Sequence, residues 1–336
     1  MKRRCLALCT LAILSIALPH GSAHAAEKVT WVNDWLPGGD KAIPYVAAYE
    51  KFFAKEGLDV TILSGRGTTD AITKIATGTA DVGSGGISAL LQARAQGTVP
   101  VKAIFSVYTK QPDAIFTTEG SGINSLKDLG GKKIATAPFS SSNVVWPLIL
   151  HANNVDPASV EVVKVDPGTL APMLATGQVA GTINWVTDMA VYSKTFASTT
   201  KKVKIIPWFD YGFKGYGLSL FASEKMLKER PQTVVRVLRA AREALAALIK
   251  KPDLAGVALK AAVPESDPAV VDGQWRASLP LIVNDVSRTY GTGTFDPTLL
   301  ADTWKWVAES INVPVASHSP ESDVDRTPLK ELLAAK

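Results

Sequence analysis

Cysteine is scarce in this chain, and its distribution excludes whole classes of functional site. The two cysteines, Cys5 and Cys9, lie close to the N-terminus, in a stretch that we interpret as a cleaved secretory signal. Once that stretch is removed, the protein has no disulfide, no thiolate metal site and no cysteine nucleophile. Histidine is almost as rare, and His151 and His318 are the two that lie beyond the signal. Because neither has a second imidazole nearby in sequence, we interpret both as structural or surface residues.

Long apolar runs are also lacking, and the one near the N-terminus is short. Residues 1–25 combine a basic start, an apolar run over residues 6–18 and a small-residue cleavage site at residues 23–25, which are the three parts of a signal peptide. The run is too short to anchor the protein in a bilayer, so we expect cleavage and export to the periplasm. Cleavage also removes three of the positive charges behind the formal net charge of +5. The remaining lysine doublets are scattered, and we expect no nucleic-acid partner.

Recognisable catalytic and metal-binding motifs are missing as well. The sequence contains no H-E-x-x-H, no Walker A lysine and no G-x-S-x-G elbow. The Gly65-Arg66-Gly67 loop is not a dinucleotide fingerprint, because Asp70 stands where a glycine is needed. No spacing of acidic residues is typical of a Mg²⁺ or Ca²⁺ site. These absences predict a protein that is not an enzyme and that carries no cofactor and no metal.

What the chain does have is a repeated alternation of strand and helix. A strand at residues 29–32, a helix at 44–55, a strand at 60–63 and a helix ending at Gly78 follow one another. This alternation predicts an α/β fold, with a mainly parallel sheet flanked by helices. The helix predicted to begin at Asp296-Pro297 has an aspartate cap followed by proline in the first turn.

Loops of small residues are predicted where strands lead into helices. Gly83-Ser84-Gly85-Gly86 is one such loop, and Ser140-Ser141-Ser142 is another. Loops of this kind leave backbone N–H groups free at a helix N-terminus, where a polar or anionic ligand group can bind. The alternative is that they are ordinary turns, which need glycine for their geometry alone.

A four-residue motif occurs twice in the chain. The segment Ile75-Ala76-Thr77-Gly78 reappears as Leu174-Ala175-Thr176-Gly177, and each copy lies between two predicted strands. We therefore predict two similar lobes. Ligands of open α/β sheets bind outside the carboxyl ends of the strands, so residues 83–86 and 184–188 should face one cleft from opposite sides.

Aromatic side chains are plentiful in the predicted loops, and two carboxylates accompany them. Tryptophans in such loops often line a pocket, although we expect about half of the aromatics to be core. Asp34 beside Trp35 and Asp188 near Trp185 favour a flat ring that carries N–H donors over a small anion. The candidate ligand-binding residues are Asp34, Trp35, Tyr45, Ser84, Gly85, Gly86, Tyr108, Phe139, Ser140, Ser141, Trp185, Asp188 and Tyr211.

Five segments of the exported chain carry a family resemblance. They are Asp34-Trp35-x-Pro37, Tyr45-Val46-Ala47 and residues 53–60, 78–84 and 125–134. Together they resemble the periplasmic solute-binding proteins of ABC importers, in the branch of thiamine-pyrimidine, riboflavin, nitrate, sulfonate and taurine receptors. The chain departs from the pyrimidine receptors after Pro37, where Gly38, Gly39 and Asp40 replace their asparagine and histidine.

The resemblance implies a two-lobed fold of the type II periplasmic binding protein, with two crossover segments and hinge closure over the ligand. Lobe boundaries are implied at residues 26–114 plus 217–336 and at 115–216. It also implies a monomer that captures a small organic solute. The best candidate is a pyrimidine-like heteroaromatic ring, stacked against a tryptophan at the end of a strand. The implied partners are this ligand and an ABC permease and ATPase in the inner membrane.

Three alternatives stay open at this point. Sulfonate and taurine receptors would instead use the N–H groups of residues 84–86 and 140–142 for an anion. An exported enzyme of the same fold would resemble the thiamine-pyrimidine synthase of fungi, which needs a cysteine-rich iron motif. A sensor would present its ligand to a membrane receptor rather than to a transporter.

Overall fold

The computed structural model describes residues 25–97 and 99–335, so the predicted signal peptide lies outside the described residues except for Ala25. The strands are β1 (Glu27–Asn33), β2 (Leu58–Ser64), β3 (Val82–Gly86), β4 (Val101–Ser106), β5 (Asp113–Thr118), β6 (Lys133–Thr136), β7 (Glu161–Lys164), β8 (Gly181–Trp185), β9 (Val203–Pro207) and β10 (Leu218–Ser223). The α-helices are α1 (Ala42–Tyr49), α2 (Phe52–Lys55), α3 (Thr68–Ala76), α4 (Ile87–Gln96), α5 (Ser142–His151), α6 (Leu170–Thr176), α7 (Met189–Phe196), α8 (Glu224–Glu229), α9 (Pro231–Lys250), α10 (Leu254–Ala262), α11 (Pro268–Ile282), α12 (Asp285–Tyr290), α13 (Pro297–Ser310) and α14 (Thr327–Ala334). None of these helices is both long and apolar enough to cross a bilayer.

The strands form two five-stranded sheets with the same spatial arrangement of strands. One sheet has the order β2-β1-β3-β10-β4 and the other the order β7-β6-β8-β5-β9. In each sheet four strands point the same way, and the fourth strand in the order, β10 or β5, is antiparallel to its neighbours. The predicted α/β class with two mainly parallel sheets is confirmed. We call the first sheet with its helices lobe 1 and the second lobe 2.

Two segments, residues 107–112 and 208–217, carry the chain from one sheet to the other and back. A hydrogen bond joins these segments: the side-chain amide of Gln111 donates to the backbone carbonyl of Tyr216 at 2.5 Å. The strand β5 begins at Asp113, two residues before the sequence-based boundary. The lobe boundaries themselves stay predictions.

One predicted loop is in fact a strand. All five residues of Val82–Gly86 are buried in β3, at the centre of lobe 1, so the prediction of a loop at residues 83–86 is wrong. A Cβ on Gly83 would lie 2.4 Å from the Val32 carbonyl oxygen of β1. Glycine is therefore needed for the close approach of two strands rather than for a turn.

Local sequence signals predict one helix boundary correctly and miss another. The predicted start at Asp296 is confirmed, because the Asp296 carboxylate accepts a hydrogen bond from the Leu299 N–H at 3.0 Å. The single helix predicted for residues 44–55 is divided into α1 and α2, and Lys51 between them has a φ of 60°. A left-handed residue interrupts the helical hydrogen bonds, so the chain turns there.

Helix α11 brings the two lobes together. It packs against α10 within lobe 1 and also against α7 of lobe 2. At the crossing point a Cβ on Gly273 would lie 2.7 Å from the Ala190 Cβ. The absence of a side chain at Gly273 therefore sets how closely the lobes approach, and the cleft between the sheets is closed.

Candidate ligand-binding site

The carboxyl ends of strands from both lobes meet at the closed cleft. A small cavity there encloses about 10 Å³, which is room for no more than a single water molecule. Six of the candidate residues line it, together with three that sequence reasoning missed and with Asn184, which lies in the cleft wall predicted at residues 184–188. The lining residues are Asp34, Trp35, Ser140, Ser141, Trp185 and Asp188, joined by Asp40, Lys41, Thr68 and Asn184.

The ammonium group of Lys41 occupies the centre of this site. Its Nζ lies 2.8 Å from Asp34 Oδ1 and 3.3 Å from Asp40 Oδ2. It also lies 4.0 Å from the centre of the Trp185 ring, in a cation–π contact. Lys41 precedes α1 in lobe 1 and Trp185 ends β8 in lobe 2, so this contact bridges the cleft.

Two consecutive hydrogen bonds hold Asp34 in place. The Thr68 hydroxyl, in the first turn of α3, donates to Asp34 Oδ2 at 2.7 Å. The Gly86 N–H in turn donates to Thr68 Oγ1 at 3.0 Å. The Gly86 N–H therefore serves to position the carboxylate and is not free for an anion, while Gly85 pairs with Ser219 of β10.

Asp188 reaches the site from lobe 2 and is tied to lobe 1. The amide of Gln274 in α11 donates to Asp188 Oδ1 at 2.7 Å, and the Gly39 N–H donates to Gln274 Oε1 at 2.9 Å. Burial raises the pKa of Asp188 to about 7, and the nearby charge of Asp40 adds to the rise. Near neutral pH this carboxyl group can hold or release a proton.

Three buried carboxyl groups face one ammonium group in this cleft. Burial alone would lower the pKa of Lys41, but the charges of Asp34 and Asp40 outweigh it and raise that pKa. Burial raises the pKa of Asp40, as does the charge of Asp34, while Lys41 opposes the rise. Lys41 therefore stays charged, and the cluster still carries an excess of negative charge when its carboxyl groups ionise.

One buried carboxylate oxygen in the cluster is available as an acceptor. Among the described residues, Asp40 Oδ1 accepts no hydrogen bond. Asp34 Oδ1 is already engaged, because the Lys41 ammonium nitrogen lies 2.8 Å from it. A buried acceptor of this kind suits a group that brings N–H or O–H donors.

Asp113, Ser142 and Tyr108 support Trp185 from outside the lining of the cavity. Burial raises the pKa of Asp113 to about 6, and hydrogen bonds from Ser142 and Trp185 lessen the shift. The Ser142 hydroxyl donates to Asp113 Oδ1 at 2.5 Å. Behind the indole lies Tyr108, with ring centres 6.0 Å apart and a hydroxyl that donates to Ser278 at 2.9 Å.

The remaining sequence-predicted residues lie outside the cavity. Tyr45 is buried in the core of lobe 1, and Ser84 donates to Asn33 below the site at 3.1 Å. Phe139 is 41% exposed at the cleft rim. Tyr211 packs against a hydrophobic cluster that contains Trp208 and Phe213, and so it belongs to a different part of the molecule.

Sequence reasoning missed Asp40, Lys41, Thr68 and Gln274. Asp40-Lys41 is a charged pair directly before the apolar segment of α1, and such pairs are usually solvated. The one local signal was that no other charge occurs between Lys41 and Glu50. Gln274 lies far in sequence from the other site residues, and no local pattern marks it as one of them.

Within residues 25–97 and 99–335, no three or more His, Cys, Asp or Glu side chains are arranged so that they could hold a metal ion. The chemistry of the cleft is therefore that of carboxylates, an ammonium group and aromatic rings. Such a set recognises a polar aromatic molecule by stacking and by hydrogen bonds to its donors.

A family model described as NMT1/THI5 like matches residues 40–255. The chain is similar to the riboflavin-binding protein RibY of Chloroflexus aurantiacus, with 26% identity over 81% of this chain and 78% of that protein. It is also similar to the 4-amino-5-hydroxymethyl-2-methylpyrimidine phosphate synthase of Legionella pneumophila, with 23% identity over 71% of this chain and 75% of that one. Relatives of both kinds, binding proteins and enzymes, thus share this sequence pattern.

Solved structures share the fold. A protein from Bordetella bronchiseptica RB50 superposes with a TM-score of 0.74 at 21% identity, over 92% of this chain and 97% of its own. The alkanesulfonate-binding protein SsuA of Xanthomonas axonopodis pv. citri, bound to MOPS, superposes with a TM-score of 0.68 at 16% identity, over 90% and 100%. The architecture is therefore the two-lobed fold of periplasmic binding proteins.

Proposed function

This chain belongs to the NMT1/THI5-like family, and on that premise we propose that it is the periplasmic solute-binding component of an ABC import system. Its ligand is a small organic molecule that binds in the cleft between the lobes. The observation that carries the proposal is the buried cluster of Asp34, Asp40 and Asp188 beside Trp185, assembled from both lobes. A site shared by two lobes couples ligand binding to lobe closure, which is what a transporter partner can recognise.

The charges of the cluster favour a donor-bearing heteroaromatic ligand, such as a pyrimidine. Asp40 Oδ1 is a buried acceptor without a hydrogen bond, so a ligand with N–H groups would satisfy it. Relatives named for riboflavin binding and for synthesis of a pyrimidine phosphate are in keeping with a ring of this kind.

A sulfonate ligand is disfavoured by the same groups. Carboxylates repel an anion strongly in a buried site, where little water screens the charges. Two of the N–H groups expected to bind it are engaged: Gly86 N–H donates to Thr68 and Ser142 N–H to Ser140 Oγ, at 3.0 and 3.3 Å. The structural likeness to SsuA supports the shared fold and carries no argument for a sulfonate ligand.

The cleft also offers no activated nucleophile among its described residues. A lysine acts as a nucleophile when its amine is neutral, whereas the charges of Asp34 and Asp40 raise the pKa of Lys41. The imidazole of His318 contacts Asp323 at 2.6 Å, outside the cleft. We therefore propose a receptor and not an exported enzyme.

A thermal-shift panel of pyrimidines, flavins, aryl acids, taurine and alkanesulfonates tests the function. A ligand at one hundred times its Kd should add about 2.7 kcal/mol to the free energy of unfolding. We expect pyrimidines or flavins to raise Tm, and Asp34→Asn to abolish that rise. The control is Asp166→Asn at the exposed cleft rim, where Asp166 pairs with Arg66 at 3.0 Å.

The panel distinguishes the alternatives. Stabilisation by sulfonates alone would refute the heteroaromatic ligand and leave the receptor intact. Chemical conversion of a stabilising ligand, followed by chromatography, would instead identify an enzyme. Transport of the ligand into proteoliposomes that contain the permease and ATPase would separate a transporter from a sensor.

A further inference from the structure

A second and larger cavity adjoins the carboxylate cluster. It measures about 320 Å³ and shares Trp35, Asn184 and Asp188 with the small cavity. Its walls come from both lobes: residues 35–37 after β1 and the first half of α11 on one side, and the start of α6 and residues 191–195 of α7 on the other. We call it the Trp35 chamber.

The walls of the Trp35 chamber are mainly non-polar. Side chains of Leu36, Pro37, Leu170, Ala171, Val191 and Val271 face it. Trp35 itself is partly buried and packs against the core of lobe 2, in a cluster that includes Leu170 and Ala171. A chamber of this size, with so much apolar surface, is suited to an uncharged organic group.

Polar groups lie at the two ends of the chamber. Asn184, Asp188 and Gln274 form its inner end, next to the buried acceptor of the cluster. At the outer rim, Lys194 of α7 pairs with Asp267 at 2.7 Å, and both side chains are exposed. The chamber is therefore polar at its inner end, apolar along its walls and polar again at its solvent-exposed rim.

The volume available elsewhere in the cleft is too small for a ring. The cavity at the carboxylate cluster holds about 10 Å³, and Lys41 covers one face of Trp185 at 4.0 Å from the ring centre. The bulk of any ligand in this closed cleft must therefore lie in the chamber, with its donor groups directed at Asp188.

We propose that the Trp35 chamber holds the whole ligand: the donor-bearing ring lies at the inner end, against Asn184, Asp188 and Gln274, and the apolar part of the chamber is a subsite for a non-polar or aromatic substituent. The inference rests on the proposed function and narrows it to two-part molecules: a heteroaromatic amine that carries a bulky apolar group. A bare aminopyrimidine would leave most of the chamber unfilled.

Two matched probes test the subsite on the full mature protein by isothermal titration calorimetry. One is 4-amino-2-methylpyrimidine, and the other is the same ring with a 5-benzyl group. Burial of the phenyl ring in an apolar chamber should tighten binding at least tenfold. Val191→Phe, which fills the chamber from α7, should reduce the ratio of the two affinities to less than threefold.

Controls separate a filled chamber from a damaged fold. Ser193→Phe places the same ring on an exposed position of α7 and should keep the tenfold ratio. Ala171→Leu fills the chamber from α6 and should lower the ratio as Val191→Phe does. Circular dichroism melts establish that each variant is folded.

The possible outcomes discriminate between the two proposals. Equal binding of both probes by the wild-type protein, or a ratio that Val191→Phe and Ala171→Leu leave unchanged, would overturn the chamber and leave the receptor standing. Binding of neither probe, together with no response to the wider solute panel, would overturn the proposed function and the subsite with it.

Discussion

Lys41 and Trp185 meet across the cleft, with the ammonium nitrogen 4.0 Å from the ring centre. Each comes from a different lobe, so the contact joins the lobes as well as the side chains. A desolvated cation–π contact is worth about 2 kcal/mol. The closed cleft is thus held by groups of the protein itself, and a ligand must compete with them or bind beside them.

Replacement of Lys41 by methionine should destabilise the protein strongly. Asp34 and Asp40 would then keep their buried charges without a counter-ion, which costs about 3–5 kcal/mol. Urea unfolding at pH 7 measures the loss. The matched control is Lys74→Met, because Lys74 pairs with Asp70 at 2.7 Å in a partly exposed position and should cost less than about 1 kcal/mol. Similar losses for the two variants would refute the buried ion pair.

The stability of the protein should depend on pH through Asp188. Its pKa of about 7 exceeds the ordinary 3.8, so between these values the folded protein holds a proton that the unfolded chain has released. Asp188 therefore lowers the free energy of unfolding as pH rises, by about 1.4 kcal/mol per pH unit. Asp188→Asn removes this slope.

The measurement is urea unfolding of the wild type and Asp188→Asn from about pH 4.5 to 6.5, a window inside the two pKa values. The asparagine variant should gain stability relative to the wild type as pH rises. Asp166→Asn at the exposed rim is the control and should run parallel to the wild type. A constant difference between wild type and Asp188→Asn would contradict a raised pKa.

A side chain at position 273 should open the cleft. Gly273→Val adds atoms where a Cβ would already lie 2.7 Å from the Ala190 Cβ, so α7 and α11 must separate. Small-angle X-ray scattering should report a larger radius of gyration, and calorimetry weaker binding of any ligand that stabilises the wild type. Ala269→Val, on the exposed first turn of α11, should change neither quantity.

The cap of α13 should contribute a measurable part of the stability of lobe 1. The Asp296 carboxylate accepts the Leu299 N–H at 3.0 Å, and loss of such a cap costs about 1 kcal/mol. We expect this decrease for Asp296→Ala in urea unfolding. Asp302→Ala, at an exposed position of the same helix, should stay within about 0.5 kcal/mol.

Local signals in the sequence were enough for much of the fold. The alternation of strands and helices predicted two α/β lobes, and Asp296-Pro297 predicted the start of α13. The error at residues 83–86 has a physical cause, since glycine is a weak strand former. The close approach of β3 to Val32 decides that conformation, and no local pattern reports such an approach.

The candidate site was less accessible to sequence reasoning. Asp34 and Trp35 follow a strand, and a strand end is a position where ligands bind. Asp40 and Lys41 gave the pattern of a solvated pair, although both are buried because Trp185 covers them from the other lobe. Burial of charge depends on which distant segments meet, and spacing along the chain does not contain that information.

The position of β10 has a consequence for the order in which the lobes can form during synthesis. This strand, Leu218–Ser223, lies between β3 and β4 in the lobe 1 sheet, whereas all the strands of lobe 2 come from one continuous stretch, residues 113–207. Lobe 2 can therefore complete its sheet first, from contacts that are near in sequence. Until the chain beyond lobe 2 arrives, β3 is paired with β1 alone and β4 has no partner strand in its sheet.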